Sequence, residues 1–196
     1  MRKYIGHLSF AIGLFGALAI GWVVFPAMLY EQTEQPMQFN HALHVGDDVG
    51  MECDECHGFN DQGEFTGIPG IDNCAECHEE PLGETENELR LVEDYISQNR
   101  EIPWLVYSRQ PDNAHFPHAQ HVVLAELPCE RCHGPHGETT CLRPFERNRL
   151  SGYSRDIWGP AISGMGTKEW EGMKMDDCTR CHKENGVVES CLDCHK

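Results

Sequence analysis

Hydrophobic residues are spread very unevenly along this chain. Residues 8–29, LSFAIGLFGALAIGWVVFPAML, form a run of 22 without a charge. As an α-helix this run would be about 33 Å long, enough to cross the hydrocarbon layer of a bilayer. Arg2 and Lys3 precede it and Glu31 and Glu34 follow it. That charge bias predicts a single span with its N-terminus in the cytoplasm and the rest of the chain outside. A cleaved signal peptide is the rival reading, because Ala17-Leu18-Ala19 offers a small-x-small site. The apolar run, however, continues through Ile20, Trp22, Val23, Val24 and Phe25, which favours a retained anchor. Trp22 and Tyr30 suit the outer interface, and Pro26 predicts a kink in the last turn.

After the span the pattern changes. Residues 31–38, EQTEQPMQ, read as a polar linker. Thr85 with Glu88 has the spacing of a capping box, and Leu89, Val92 and Ile96 continue at helical intervals. Residues 86–99 therefore predict an amphipathic helix. The stretch that opens IPW at Ile102 predicts an extended run up to the segment that begins near residue 116. Residues 134–177 hold many Gly and Pro with no period, and read as a long ordered loop suited to partner docking. These elements amount to little apolar core.

Cysteine and histidine supply what apolar patterning lacks. Ten of the eleven cysteines form five Cys-x-x-Cys pairs: Cys53/Cys56, Cys74/Cys77, Cys129/Cys132, Cys178/Cys181 and Cys191/Cys194. Each pair is followed directly by histidine, at His57, His78, His133, His182 and His195. Zinc sites and disulfides use paired cysteines but do not require that histidine. With twelve histidines in 196 residues, five chance placements are on the order of one in a million. Cys-x-x-Cys-His attaches haem c: two thiols bond the porphyrin and the histidine ligates the iron. Five haems would then share about 166 residues beyond the span, roughly 33 each, too few for a conventional core. The fold class expected is mostly α-helical and irregular, with the haems themselves as the core of residues 39–196 and residues 1–30 as the anchor.

The formal charge of −17 excludes a nucleic-acid partner, since a phosphate backbone requires a basic surface. It favours docking to a basic protein.

An internal repeat organises the haem domain. FNHALHV at 39–45 precedes the motif at Cys53, and FPHAQHV at 116–122 precedes the motif at Cys129. The units run over about 39–80, with two motifs, and about 116–195, with three. Histidines three apart share one helical face while their rings diverge toward different irons. His41, His44, His118 and His121 are therefore candidate axial ligands, each pair placed to serve two haems.

The F-x-H-x-x-H block followed by Cys-x-x-Cys-His resembles the class III cytochromes c, multihaem proteins with histidine on both sides of each iron. Residues 102–122, IPWLVYSRQPDNAHFPHAQHV, resemble a subset found in membrane complexes beside iron–sulfur, molybdopterin-type and quinone-binding integral membrane subunits. Five motifs and one span are similar to two such families. One is the multihaem subunit of menaquinone reductase complexes of sulfate-reducing bacteria; the other is the pentahaem subunit of quinol-oxidising alternative complex III. The resemblance covers most of residues 39–195 and is weakest over 134–177. His115 stands where the family carries an aromatic residue, so the resemblance assigns it no role.

Five bis-histidine haems need five distal ligands, and six histidines are on offer beyond the span. His136 and His115 compete for the fifth place, with Met173 and Met175 as sulfur alternatives. Cys141 is left over. It reads as a buried free cysteine, a partner-facing thiol, or the single thioether anchor of a sixth haem beside His136.

The function expected is electron relay along a haem wire, with no substrate chemistry in this subunit. The resemblance implies a donor, a basic periplasmic cytochrome c, and an acceptor, a quinone-reactive membrane complex; the acidic charge favours menaquinone reduction over quinol oxidation. A quinol dehydrogenase feeding a periplasmic reductase is a further alternative, although there the first motif follows the span directly. A multihaem reductase would need an open iron position, and none of the five motifs has lysine in place of its histidine.

Overall fold

The computed structural model describes residues 2–154, 170 and 174–195. The apolar run is helical throughout: α1 (Arg2–Ala19), a wider π-helical turn (Ile20–Val24) and α2 (Phe25–Leu29). The π turn is closed by Phe25 N–H to the Ile20 carbonyl and falls just before Pro26, which has no amide proton of its own to donate. Residues Tyr4–Leu29 have a mean hydropathy of 2.2 and make a helix long and apolar enough to cross a membrane.

Residues 31–38 are not the free linker that their polarity suggests. Strand β1 (Tyr30–Thr33) leaves the helix directly and pairs antiparallel with β2 (Phe145–Asn148), with Tyr30 opposite Asn148 and Thr33 opposite Phe145. Arg147 reaches Glu31 across the pair at 3.2 Å. Gln35 is buried because its amide acts like a strand residue, donating to the Leu105 carbonyl at 2.9 Å and accepting the Leu105 N–H at 3.0 Å. Asn87 exchanges two hydrogen bonds with the Gln38 backbone, and Gln38 Oε1 accepts the Leu142 N–H at 2.7 Å. Within 134–177, read as a long ordered loop, the described residues include β2 and a short 3-10 turn, His136–Glu138; residues 155–169 and 171–173 lie outside the described residues.

The region from residue 41 onward is built largely from short helices: α3 (His41–Val45), α4 (Cys53–Cys56), α5 (Ile71–His78), α6 (Glu86–Arg90), α7 (Glu130–His133), α8 (Met175–Glu184) and α9 (Cys191–Cys194). Acidic residues within the motifs help start them. Glu55 accepts the Glu52 N–H at 2.6 Å and Asp193 accepts the Ser190 N–H at 2.6 Å, each closing the first turn of a Cys-x-x-Cys helix. α5 is started from outside, by Glu101 accepting the Ile71 N–H at 2.9 Å.

The helix expected over 86–99 is α6 continued by a π turn, Leu91–Ile96. Its capping box is only half formed. Thr85 Oγ1 accepts the Glu88 N–H at 3.2 Å, but the Glu88 carboxylate turns away to His78. Met37, Ile71, Tyr95 and Ile102 form the buried apolar cluster, flanked by Cys74, Leu91, Ile96 and Trp104. Among the described residues these four are the whole buried hydrophobic core. Apolar packing among the described residues is thus small for a chain of this length.

Candidate haem-binding site

The two ligand segments have the same internal geometry. Phe39 stacks on His44 with ring centres 4.4 Å apart and meets His41 edge-on at 4.7 Å. Phe116 stacks on His121 at 4.4 Å and meets His118 edge-on at 4.8 Å. In each copy the second histidine bonds back through Nδ1, His44 to the Asn40 carbonyl at 2.8 Å and His121 to the Pro117 carbonyl at 3.0 Å. A carbonyl only accepts, so Nδ1 carries the proton and Nε2 keeps its lone pair for a metal. The segments differ in winding: α3 is α-helical, whereas Ala119–Leu124 is a π turn.

Four of the motif histidines are oriented the same way. His57 Nδ1 donates to the Gly67 carbonyl at 2.8 Å and His195 Nδ1 to the Asn113 carbonyl at 3.1 Å. His78 and His182 use carboxylates instead, Glu88 at 2.7 Å and Glu189 respectively. Sequence reasoning missed both carboxylates: Glu88 was absorbed by the capping box, and Glu189 lies in a loop without a pattern. The Glu88 carboxyl is partly buried, which opposes ionisation, yet the Leu82 N–H and the His78 ring hold it below the usual range.

Four pairs of imidazoles face one another at nearly constant separation. Ring centres are 6.1 Å apart for His44 and His78, 6.3 Å for His118 and His133, and 6.0 Å for His121 and His182. The fourth pair, His41 and His136, is 6.1 Å apart. Two metal–nitrogen bonds of about 2 Å, with two ring radii of about 1.1 Å, come to roughly 6 Å. The residues therefore fit a metal held between paired imidazoles, and the flanking thiols fit covalent haem.

His41 is half-buried, and burial with His136, His57 and His44 around it lowers its pKa to about 4. Burial also lowers His136, helped by His133, Arg143 and His57. His136 thus stands near the first motif. It is carried there by Thr139, whose carbonyl accepts the Ala42 N–H at 3.0 Å and whose hydroxyl lies 3.3 Å from His41 Nδ1. His115 instead lies beside the fifth motif, its N–H bonded to the Cys194 carbonyl at 2.7 Å. Cys141 is exposed, as are the motif thiols Cys77 and Cys191, which rules out the buried free cysteine. Met175 is 63% exposed at the start of α8, and Met173 lies outside the described residues.

The thiols show which motifs are neighbours. Burial raises Cys53, Cys56, Cys74 and Cys178, and nearby thiols add to it: Cys129 on Cys53, Cys77 on Cys56, Cys56 on Cys74, and Cys194 and Cys132 on Cys178. The second motif therefore adjoins the first, the first adjoins the third across the repeat boundary, and the third leads on to the fourth and fifth. Cys181 has a local partner as well. Its Sγ accepts from Asn185 Nδ2 at 3.6 Å, while its carbonyl accepts from the same amide at 2.8 Å. The cause is local, since a side chain four residues on lies over the same helical face. Sulfur is a weak acceptor, so this contact aims Cys181 without competing with a thioether bond. Gly134, just after His133, has φ +73°, and the Trp170 ring lies where its Cβ would be, within 2.6 Å. Only glycine meets both demands.

Repeated ligand segments, five Cys-x-x-Cys-His helices and paired imidazoles define a multihaem cytochrome c. Residues 24–102 match the profile of the class III cytochrome c family. The chain is also 40% identical to the "Menaquinone reductase, multiheme cytochrome c subunit" of Nitratidesulfovibrio vulgaris (strain Hildenborough), across 97% of this chain and 90% of that protein. It belongs to that family of multihaem cytochrome c subunits, and membership implies haem c as its cofactor.

Proposed function

We propose that this chain is a membrane-anchored electron relay, taking electrons from a basic periplasmic cytochrome c and passing them to a quinone-reactive membrane complex that reduces menaquinone. The facing imidazole pairs carry the reading, because two histidines per iron leave no position for a substrate. Each bound haem would supply one-electron exchange between ferric and ferrous iron. The chain's own residues attach, orient and space the groups. His57, His78, His133, His182 and His195 serve as proximal ligands; His44, His118 and His121 serve the haems of His78, His133 and His182. His41 faces His136 instead of a motif histidine.

The same reading extends to a sixth haem attached through Cys141 alone. The observation favouring it is that His136 pairs with His41 at ligand spacing while Cys141 shares the exposure of motif thiols. His115, beside the fifth motif, is the remaining candidate for His195.

The span Tyr4–Leu29 holds the domain on the periplasmic face of the inner membrane. Iron–sulfur, molybdopterin-type and quinone-binding subunits are the expected companions. Isolation of the native membrane complex tests the whole reading. Copurification with integral quinone-binding subunits, and menaquinone-analogue reduction that needs this subunit, are expected. Purification as a lone soluble cytochrome would overturn it.

A further inference from the structure

Two carboxylates reach motif histidines from outside the motifs. Glu88 Oε1 accepts the Nδ1 proton of His78 at 2.7 Å, and Glu189 accepts that of His182. Side-chain exposures are 17% and 15% for the first pair and 23% and 25% for the second, so water screens these contacts only in part. His57 and His195 have neutral carbonyls in the same role.

The arrangement recurs in both halves of the chain. His78 and His182 each belong to the second motif of their repeat. Each faces the second histidine of its ligand segment, His44 or His121. Glu88 is held firmly in that position. Its Oε1 also accepts the Leu82 N–H at 3.1 Å, and Thr85 anchors its backbone amide. The reciprocal half of the helix cap is given up to reach His78.

A neutral carbonyl orients an imidazole. An ionised carboxylate does that and also makes the ring a more basic ligand, through a charge-assisted hydrogen bond. A more basic ligand stabilises ferric iron, with its extra positive charge, more than ferrous iron. We propose that Glu88 and Glu189 are positioning residues that lower the reduction potentials of the haems ligated by His78 and His182. The proposal rests on the bis-histidine reading given above.

Glu88→Gln and Glu189→Gln keep shape and an acceptor oxygen while removing the charge. The full-length holoprotein is titrated spectropotentiometrically, with haem counted by intact mass and spin state read from absorption. Each variant should keep its haems low-spin. One component should shift about tenfold toward the ferrous state, 59 mV for a one-electron couple, and the double variant should shift two. Glu79→Gln removes an exposed charge next to His78 and should shift far less. Unchanged potentials with full haem content, an equal shift in Glu79→Gln, or haem loss from the glutamine variants would overturn the proposal. High-spin or missing haem in the unaltered protein would instead sink the bis-histidine reading.

Discussion

Phe65 lies flat against His118, with ring centres 4.0 Å apart and planes 20° from parallel. Phe65 follows the first haem motif, whereas His118 opens the second ligand segment. A candidate ligand of one repeat is thus steadied by an aromatic ring of the other, in the way Phe116 steadies His121 within its own segment. The two repeats also meet where Cys53 lies beside Cys129.

Loss of that stacking should loosen one axial ligand. Phe65→Ala removes an aromatic contact worth about 1 kcal/mol. Carbon monoxide should then capture the haem of His133 roughly fivefold more readily in the reduced protein. Carbon monoxide titration of the purified variant measures this, and an unchanged titration would mean His118 is held by other contacts.

His118 and His121 should serve different irons. His118→Ala and His121→Ala should each turn one haem high-spin, and the double variant should turn two, as counted by electron paramagnetic resonance. A double variant with a single high-spin haem would place both histidines at the same iron.

Cys141 has a simple mass signature. The unaltered protein should carry six haems after denaturation, and Cys141→Ala five. Five in both would leave Cys141 as a thiol facing a partner.

Charge should govern the encounter with the donor. With a formal charge of −17, reduction by a basic cytochrome should slow at least tenfold between low and high ionic strength. A rate independent of salt would locate the docking energy in apolar contacts, such as the exposed Leu124, Leu150 or Leu192.

The five Cys-x-x-Cys-His motifs are legible because covalent haem attachment would demand a fixed local spacing, and no tertiary context can disguise it. The shared geometry of residues 39–45 and 116–122 is legible because the block occurs twice. Partner choice was not: His121 meets His182 and His136 meets His41 through folding that brings distant segments together. Residues 31–38 look like a linker because their polar side chains spend their hydrogen bonds on the backbones of residues 105 and 142, which polarity cannot reveal. Strands of four residues are too short to show alternation, so β1 and β2 left no trace in the pattern. Glu88 fitted a capping box by spacing, but its carboxylate is turned to the stronger demand of His78.

The pairing of β1 with β2 bears on how the protein is made. The strand that leaves the apolar helix is complete early in synthesis, but its partner emerges only after the first three haem motifs. At 5–20 residues per second the delay is on the order of ten seconds. During that interval the residues between the two strands form a loop whose ends are not yet joined.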